Sequence, residues 1–168
     1  MDKGNAVLRR YEDDLYISGT GVIVMGIWSI IKTVMGIFLE ADSPIFTEID
    51  DEFGKTMTIV ITVLLLVIIS ALILKLHLYV GLNAMRASQG RAHKKGYFAA
   101  SVIMLMLTLI SIVAYKDKLK DIGNIDTVIA SMLVDLTTAY IFVLLIISAY
   151  RIRKYKAEHM RSEQDHAA

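Results

Sequence analysis

Hydrophobic residues along this chain are gathered into four long blocks that are separated by short polar stretches. The blocks cover about residues 17–39, 57–80, 97–115 and 127–150. Each is close to the roughly 20 residues that an α-helix needs to cross the hydrocarbon core of a bilayer. A soluble helix of this length would carry a polar stripe with a period of about 3.6 residues, and the blocks carry none. The pattern predicts an all-α integral membrane protein, a four-helix bundle with short loops.

Two other interpretations of the blocks fit the sequence less well. A transmembrane β-barrel would alternate apolar and polar residues over about ten positions, whereas the second block contains the unbroken run VLLLVII. A cleaved signal peptide would have an apolar region of about 7–15 residues. The first block is longer and also contains Lys32. We therefore expect it to remain in the mature protein as a membrane span.

Basic residues in the polar stretches predict the orientation of the spans. Residues 1–16, 81–96 and 151–168 should share one side of the membrane, and they carry twelve lysines and arginines against four on the other side. In membrane proteins, short cytoplasmic segments carry this excess. We therefore expect the N-terminal segment 1–16 and the C-terminal segment 151–168 to be cytoplasmic, in a protein of the cell (cytoplasmic) membrane.

The segment before the first block has a helical pattern of its own. Its apolar residues Val7, Leu8, Tyr11 and Leu15 fall at helical spacing among charged residues. Such a segment either lies as a separate helix in the membrane interface or extends the first span. We favour the extension.

Small residues recur along the first span. Gly19, Val22, Gly26, Ser29, Thr33 and Gly36 are separated by three or four residues, which places them on one face of a helix. Because lipid tails are as apolar as leucine, membrane helices associate through close packing and hydrogen bonds. This face is predicted to pack against the second span, the fourth span or another copy of the chain. The other interpretation is that glycine is simply common in membrane helices.

Two charged residues lie inside the predicted spans. Lys32 lies seven residues before the outer end of the first span, and Asp135 lies eight residues after the outer start of the fourth. At 1.5 Å per residue, both lie roughly 10–12 Å below the outer boundary. A lone charge near the bilayer centre costs about 2.5–3.5 kcal/mol on insertion scales. We therefore expect Lys32 and Asp135 to pair inside the bundle, the alternative being that each is solvated separately.

Other polar residues in the spans receive simpler interpretations. Thr108, Thr137 and Thr138 are the candidate hydroxyl partners for the charged pair, because they lie in the third and fourth spans. His77 lies near the inner end of the second span, and we interpret it as a residue of the membrane interface. Tyr115, at the outer end of the third span, is interpreted as an aromatic anchor at the membrane boundary.

Composition and motifs exclude several classes of function. The absence of cysteine excludes disulfides, thiolate metal sites and cysteine nucleophiles. A net charge of +1 leaves no basic excess for nucleic acid. The four histidines have no H-x-x-x-H spacing, and there is no Walker A sequence. We expect no metal site, no cofactor and no enzyme activity.

The remaining classes of function are those of a small membrane protein. We expect a non-enzymatic multi-pass protein, an accessory or interaction subunit whose partners are the lipid bilayer and other membrane helices or further copies of itself. The alternative is a small oligomeric transporter or channel with Asp135 and Lys32 as its polar centre. The two differ in whether Asp135 faces a hydrated cavity or a closed contact with Lys32.

Overall fold

The architecture of the chain is all-helical. The computed structural model describes residues 3–39, 52–94, 96–118 and 125–167. Apart from the connection 89–94, these residues form four α-helices, namely α1 (Lys3–Leu39), α2 (Glu52–Ser88), α3 (Gly96–Lys118) and α4 (Ile125–Ala167). Each helix contains one of the apolar blocks, and each is long and apolar enough to span a membrane. The prediction of an all-α chain with four candidate spans is confirmed.

Helix α1 begins well before its apolar block. Leu15 is buried, and Leu8 and Tyr11 pack against the same core cluster. These positions lie on one face of the helix because they are separated by three or four residues. The charged stretch before the first block is therefore part of α1, which is the arrangement that we favoured over a separate interfacial helix.

Neighbouring helices run antiparallel. α1 packs against both α2 and α4, α3 packs against α4, and the contact between α2 and α3 is smaller. Near the start of α1 the guanidinium group of Arg151 lies 5.2 Å from the centre of the Tyr11 ring, whereas near its end Lys32 meets Asp135. The start of α1, the connection between α2 and α3, and the end of α4 therefore lie at one end of the bundle.

We call this end the basic end, because lysines and arginines from three segments gather there. The members with described side chains are Arg9, Arg10, Arg86, Arg91, Lys94, Arg151, Arg153, Lys154 and Lys156. The opposite end, where Lys32 and Asp135 lie, is the far end.

A glycine terminates α2 at the basic end. Gly90 has a φ of 68°, a left-handed conformation that favours a residue without Cβ. The amide of Arg91 donates to the carbonyl of Arg86 at 2.9 Å, and the amide of Gly90 donates to the carbonyl of Ala87 at 3.2 Å. This pair of bonds is the Schellman arrangement, which satisfies the last carbonyls of a helix. It reverses the chain sharply before α3.

Buried apolar side chains concentrate toward the basic end. The largest fully buried ones are Leu15, Val22, Val80, Tyr97, Phe142 and Leu145. We call residues 57–72 the α2 apolar segment. In contrast to the residues near the basic end, none of them is buried. The consecutive side chains of Val63, Leu64 and Leu65 are 52%, 58% and 52% exposed, and they point about 100° apart around the helix. Most of the circumference of this segment is therefore open.

Candidate functional site

An ion pair joins α1 to α4 at the far end. The ammonium Nζ of Lys32 donates to both carboxylate oxygens of Asp135, at 2.8 Å to Oδ1 and 2.7 Å to Oδ2. The two residues are 103 positions apart in the sequence. Their pairing at equal depth follows from the antiparallel packing of the two helices. The structure thus brings together the two charged residues that the sequence predicted to pair.

Two hydroxyl groups from α3 complete this cluster. Tyr115 accepts a hydrogen bond from Lys32 at 2.6 Å and donates to Oδ2 of Asp135 at 2.8 Å. Ser111 donates to the same oxygen at 3.1 Å. The two lie on one face of α3 because they are four residues apart. We call Lys32, Ser111, Tyr115 and Asp135 the polar cluster; it connects α1, α3 and α4.

The polar cluster is electrically neutral and largely shielded. The side chain of Asp135 is 13% exposed and that of Lys32 is 29% exposed. Hydrogen bonds in which one partner is ionised are shorter and about twice as strong as neutral ones, and the carboxylate here accepts four contacts from three side chains. Such a network stabilises a charge that would otherwise be poorly solvated among apolar residues.

The three threonines that the sequence suggested as partners are not in the polar cluster, so that prediction was wrong. Thr108, Thr137 and Thr138 each donate to the carbonyl four residues earlier in their own helix, at 2.8–2.9 Å. This bond is the usual one for a threonine inside a helix, because it satisfies the hydroxyl without a neighbour. The rotation of α3 instead turns Ser111 and Tyr115 toward Asp135.

Part of the small-residue face of α1 packs against α2. A Cβ added to Gly19 would lie 2.9 Å from the carbonyl oxygen of Gly81 and 3.2 Å from Cβ of Ala84. A Cβ added to Gly26 would lie 2.5 Å from Cβ of His77. The two helices therefore approach so closely at these positions that only glycine fits.

Val22, on the same face, is buried in the core, and two further members bond within their own helix. Ser29 donates to the carbonyl of Met25 at 2.9 Å, and Thr33 donates to the carbonyl of Ser29 at 2.8 Å. Both hydroxyls are thus satisfied within α1. Gly36 lies within α1, but its surroundings lie outside the described residues.

His77 is part of the core rather than of an interface, which corrects the interpretation from the sequence. It is 6% exposed, its ring lies 6.2 Å from that of Phe142, and its Nδ1 is 2.8 Å from the carbonyl oxygen of Ile73. Because a carbonyl oxygen only accepts, this bond places the proton on Nδ1. The close approach of Gly26 leaves room for the histidine between α1 and α4.

Removing the Tyr115 hydroxyl tests the polar cluster. Tyr115→Phe should lower the free energy of unfolding in detergent by about 1.5–3 kcal/mol, the range for hydrogen bonds to charged groups. Thr108→Val is the matched control, since its hydroxyl bonds only to its own helix, and it should change stability by less than about 0.5 kcal/mol. Denaturant titration followed by circular dichroism gives both values. Equal losses in the two variants would contradict a special role for Tyr115.

Comparisons with known proteins do not add a function to this geometry. A search of protein-family models finds no match, and neither curated proteins nor solved structures give one. Among the described residues, no three histidine, aspartate or glutamate side chains gather into a group that could hold a metal ion. The polar cluster is therefore interpreted from its own chemistry.

Proposed function

We propose that this chain is a small non-enzymatic multi-pass protein of the cytoplasmic membrane, an accessory or interaction subunit. In this proposal all four helices cross the bilayer, and the basic end faces the cytoplasm together with both termini. The excess of lysine and arginine at one end supports that orientation, because short cytoplasmic segments carry such an excess.

The α2 apolar segment is the observation that carries the proposal. Its large side chains are about half exposed on nearly every side, among them Val60 at 56%, Leu64 at 58% and Val67 at 59%. Soluble monomers rarely expose contiguous apolar patches above a few hundred Å². A continuous apolar surface around most of a helix fits lipid and the helices of other membrane proteins.

The polar cluster has a structural role in this proposal. It fixes α1, α3 and α4 to one another at the far end, and none of the α2 residues that the structure describes bonds to it. α2 is held mainly by its close contact with α1 near Gly19 and Gly26. The bundle thus combines three helices locked at the far end with one that presents an open apolar surface.

No observation favours the transporter alternative over this proposal. A transport role requires Asp135 to face water, yet Lys32, Tyr115 and Ser111 contact its two oxygens. A groove of about 440 Å³ between α1 and α4 is lined mainly by apolar side chains from Ile17 to Met25 and by Ile141, and Asp135 is not among its lining residues. The closed contact supports a structural pair.

Site-specific photo-crosslinking in living cells tests the interaction role. A photoreactive phenylalanine analogue replaces Val67 of the α2 apolar segment in one variant and Val113 of α3 in another. Val113 is 72% exposed and equally apolar, so it serves as the matched control. We expect a crosslink to a second membrane polypeptide, or to a second tagged copy, from position 67 and none from position 113. A segment that contacts lipid alone would crosslink to no polypeptide at either position, and the interaction proposal would then be wrong.

A further inference from the structure

Positive charge at the basic end is distributed unevenly. In α1 the arginines Arg9 and Arg10 are balanced by Glu12, Asp13 and Asp14. Residues 81–94 and 150–158 carry seven lysines and arginines but only one carboxylate, that of Glu158. The excess therefore lies where the connection between α2 and α3 meets the end of α4.

Two of these cations, Arg151 and Arg153, contact aromatic rings, whereas Lys156 lies 3.8 Å from Glu12. The guanidinium of Arg153 lies 4.8 Å from the centre of the Phe98 ring and 5.9 Å from that of Tyr97. Packing on a ring orients a guanidinium. The Tyr97 hydroxyl also accepts a hydrogen bond from Arg153, and the remaining N–H groups of the guanidinium can contact an anion. Lys154, the next residue, instead lies 3.9 Å from Glu158. Among the described carboxylates, none forms an ion pair with Arg153.

The connection between α2 and α3 contacts Tyr97 as well, and the two cations that the structure describes there lie within six residues of it in the sequence. The ring of His93 packs edge-on against Tyr97, with 5.7 Å between ring centres. The backbone amide of Lys94 donates to the side-chain oxygen of Asn83 at 2.9 Å, which ties this segment to α2. Arg91 and Lys94 on either side of His93 are exposed. We call Arg91, Lys94 and Arg153 the Tyr97 cation group.

The location of this group indicates the class of anion. Tyr97 stands at the start of the candidate span Gly96–Lys116, so the cations lie at the boundary between polar and apolar surface. Directly beyond them, Val102 and Ile103 of α3 are 38% and 61% exposed. A soluble anion would use only the cations, whereas a phospholipid would use the cations for its phosphate and the exposed face of α3 for its acyl chains.

We propose that the Tyr97 cation group binds the headgroup of an anionic phospholipid of the cytoplasmic leaflet. The inference rests on the membrane location proposed above and adds a lipid ligand to it. Basic residues next to a span attract anionic lipid electrostatically. Here the contacts of Arg153 with the Phe98 and Tyr97 rings add a fixed position for one of the cations.

Native mass spectrometry of the full chain in detergent tests the assignment. The protein is titrated with phosphatidylglycerol and, separately, with phosphatidylcholine, and the bound lipids are counted. We expect phosphatidylglycerol to bind at least about tenfold more tightly, because the phosphocholine headgroup is neutral overall. Arg153→Gln should weaken phosphatidylglycerol binding about fivefold, and Arg91→Gln with Arg153→Gln about 25-fold. The same basic residues also influence the orientation of the protein in a membrane. Binding measured in a detergent micelle does not depend on that orientation, so the losses report on lipid binding alone.

Lys154→Gln is the matched control. It removes the same charge from the adjacent position of α4, but that lysine pairs with Glu158, so we expect less than a twofold loss. Equal losses in Arg153→Gln and Lys154→Gln would reduce the site to general surface attraction and overturn the proposal. No preference for phosphatidylglycerol would overturn it as well.

Further arms of the experiment distinguish a bound lipid from a folding defect and from a soluble anion. Arg91→Gln alone should also weaken binding about fivefold, and it lies on an exposed turn, so misfolding is not expected to cause the loss. If inorganic phosphate displaces the lipid at equal concentration, the ligand is a free anion and the lipid assignment is wrong. If binding fails but the protein is still extracted only by detergent, the proposed membrane location stands and this inference alone fails.

Discussion

Asp135→Leu is expected to destabilise the bundle by about 3–5 kcal/mol. The substitution leaves the ammonium group of Lys32, which is 29% exposed, without its carboxylate. Breaking an ion pair in an apolar setting by removing one partner leaves an uncompensated charge, and that residual charge causes most of the loss. The free energy of unfolding in detergent measures the effect.

Two double variants separate a specific pair from two independent charges. Lys32→Met with Asp135→Leu removes both charges and should recover most of the loss, because replacing a whole buried pair by apolar residues is often nearly neutral. Lys32→Asp with Asp135→Lys restores opposite charges and should be more stable than either of its single variants. If either double variant is as unstable as the sum of its singles, the two residues are not energetically coupled.

Gly26→Ala is expected to cost about 1–3 kcal/mol of stability through overpacking, at a site remote from the polar cluster. The new methyl group would lie 2.5 Å from Cβ and 2.7 Å from Cγ of His77. A Cβ atom is fixed to the backbone and cannot rotate away, so α1 and α2 must separate along their contact. The same unfolding assay, together with the yield of folded protein in mild detergent, measures the change.

Gly21→Ala is the control for the Gly26 prediction. It lies on the same helix, but its added Cβ would meet only side-chain atoms of Ile141, the nearest at 3.2 Å. Because a flexible side chain shifts more easily than a backbone, the loss should stay below about 1 kcal/mol. Equal effects at both positions would mean that any methyl group on α1 is harmful, and the close contact with α2 would then have no special importance.

The sequence predicts the features that depend on position along a single helix. The apolar blocks are long enough to identify four helices without knowledge of their packing. Lys32 and Asp135 stand out because both lie at equal depth in antiparallel spans, and depth follows from residue count alone. Gly19 and Gly26 are recognisable by their helical spacing. In each case the position of a residue along its own helix is enough to make the prediction.

Features that depend on the rotation of one helix against another do not follow from the sequence. Tyr115 has the position of an aromatic anchor at the membrane boundary, and Ser111 lies four residues before it on α3. By residue count, Thr108 lies seven residues from the outer end of its span and matches the depth of Asp135 better than Ser111 or Tyr115 does. Depth alone therefore favours the wrong hydroxyl, because it does not say which face of α3 turns inward. The burial of His77 does not follow from the sequence either, because it depends on which face of α2 turns toward α1 and α4.

The sequence pattern also does not predict how exposed the side chains of the α2 apolar segment are. Thr58, Thr62 and Ser70 fall on one side of the helix and mark its less exposed face, but the pattern does not say how closely α1 approaches that face. Packing decides this through Gly19, Gly26 and Gly81, which draw α1 and α2 together near the basic end. No described glycine contact draws them together farther along.

Labelling of single cysteines in intact cells tests the four-span arrangement most directly. The chain contains no cysteine, so Gln89→Cys in the turn after α2 and Asp50→Cys in the sequence between α1 and α2 each give one unique site. With a maleimide that does not cross membranes, we expect position 50 to react in intact cells and position 89 to react only after lysis. Reaction of both positions in intact cells, or of neither, would contradict the arrangement.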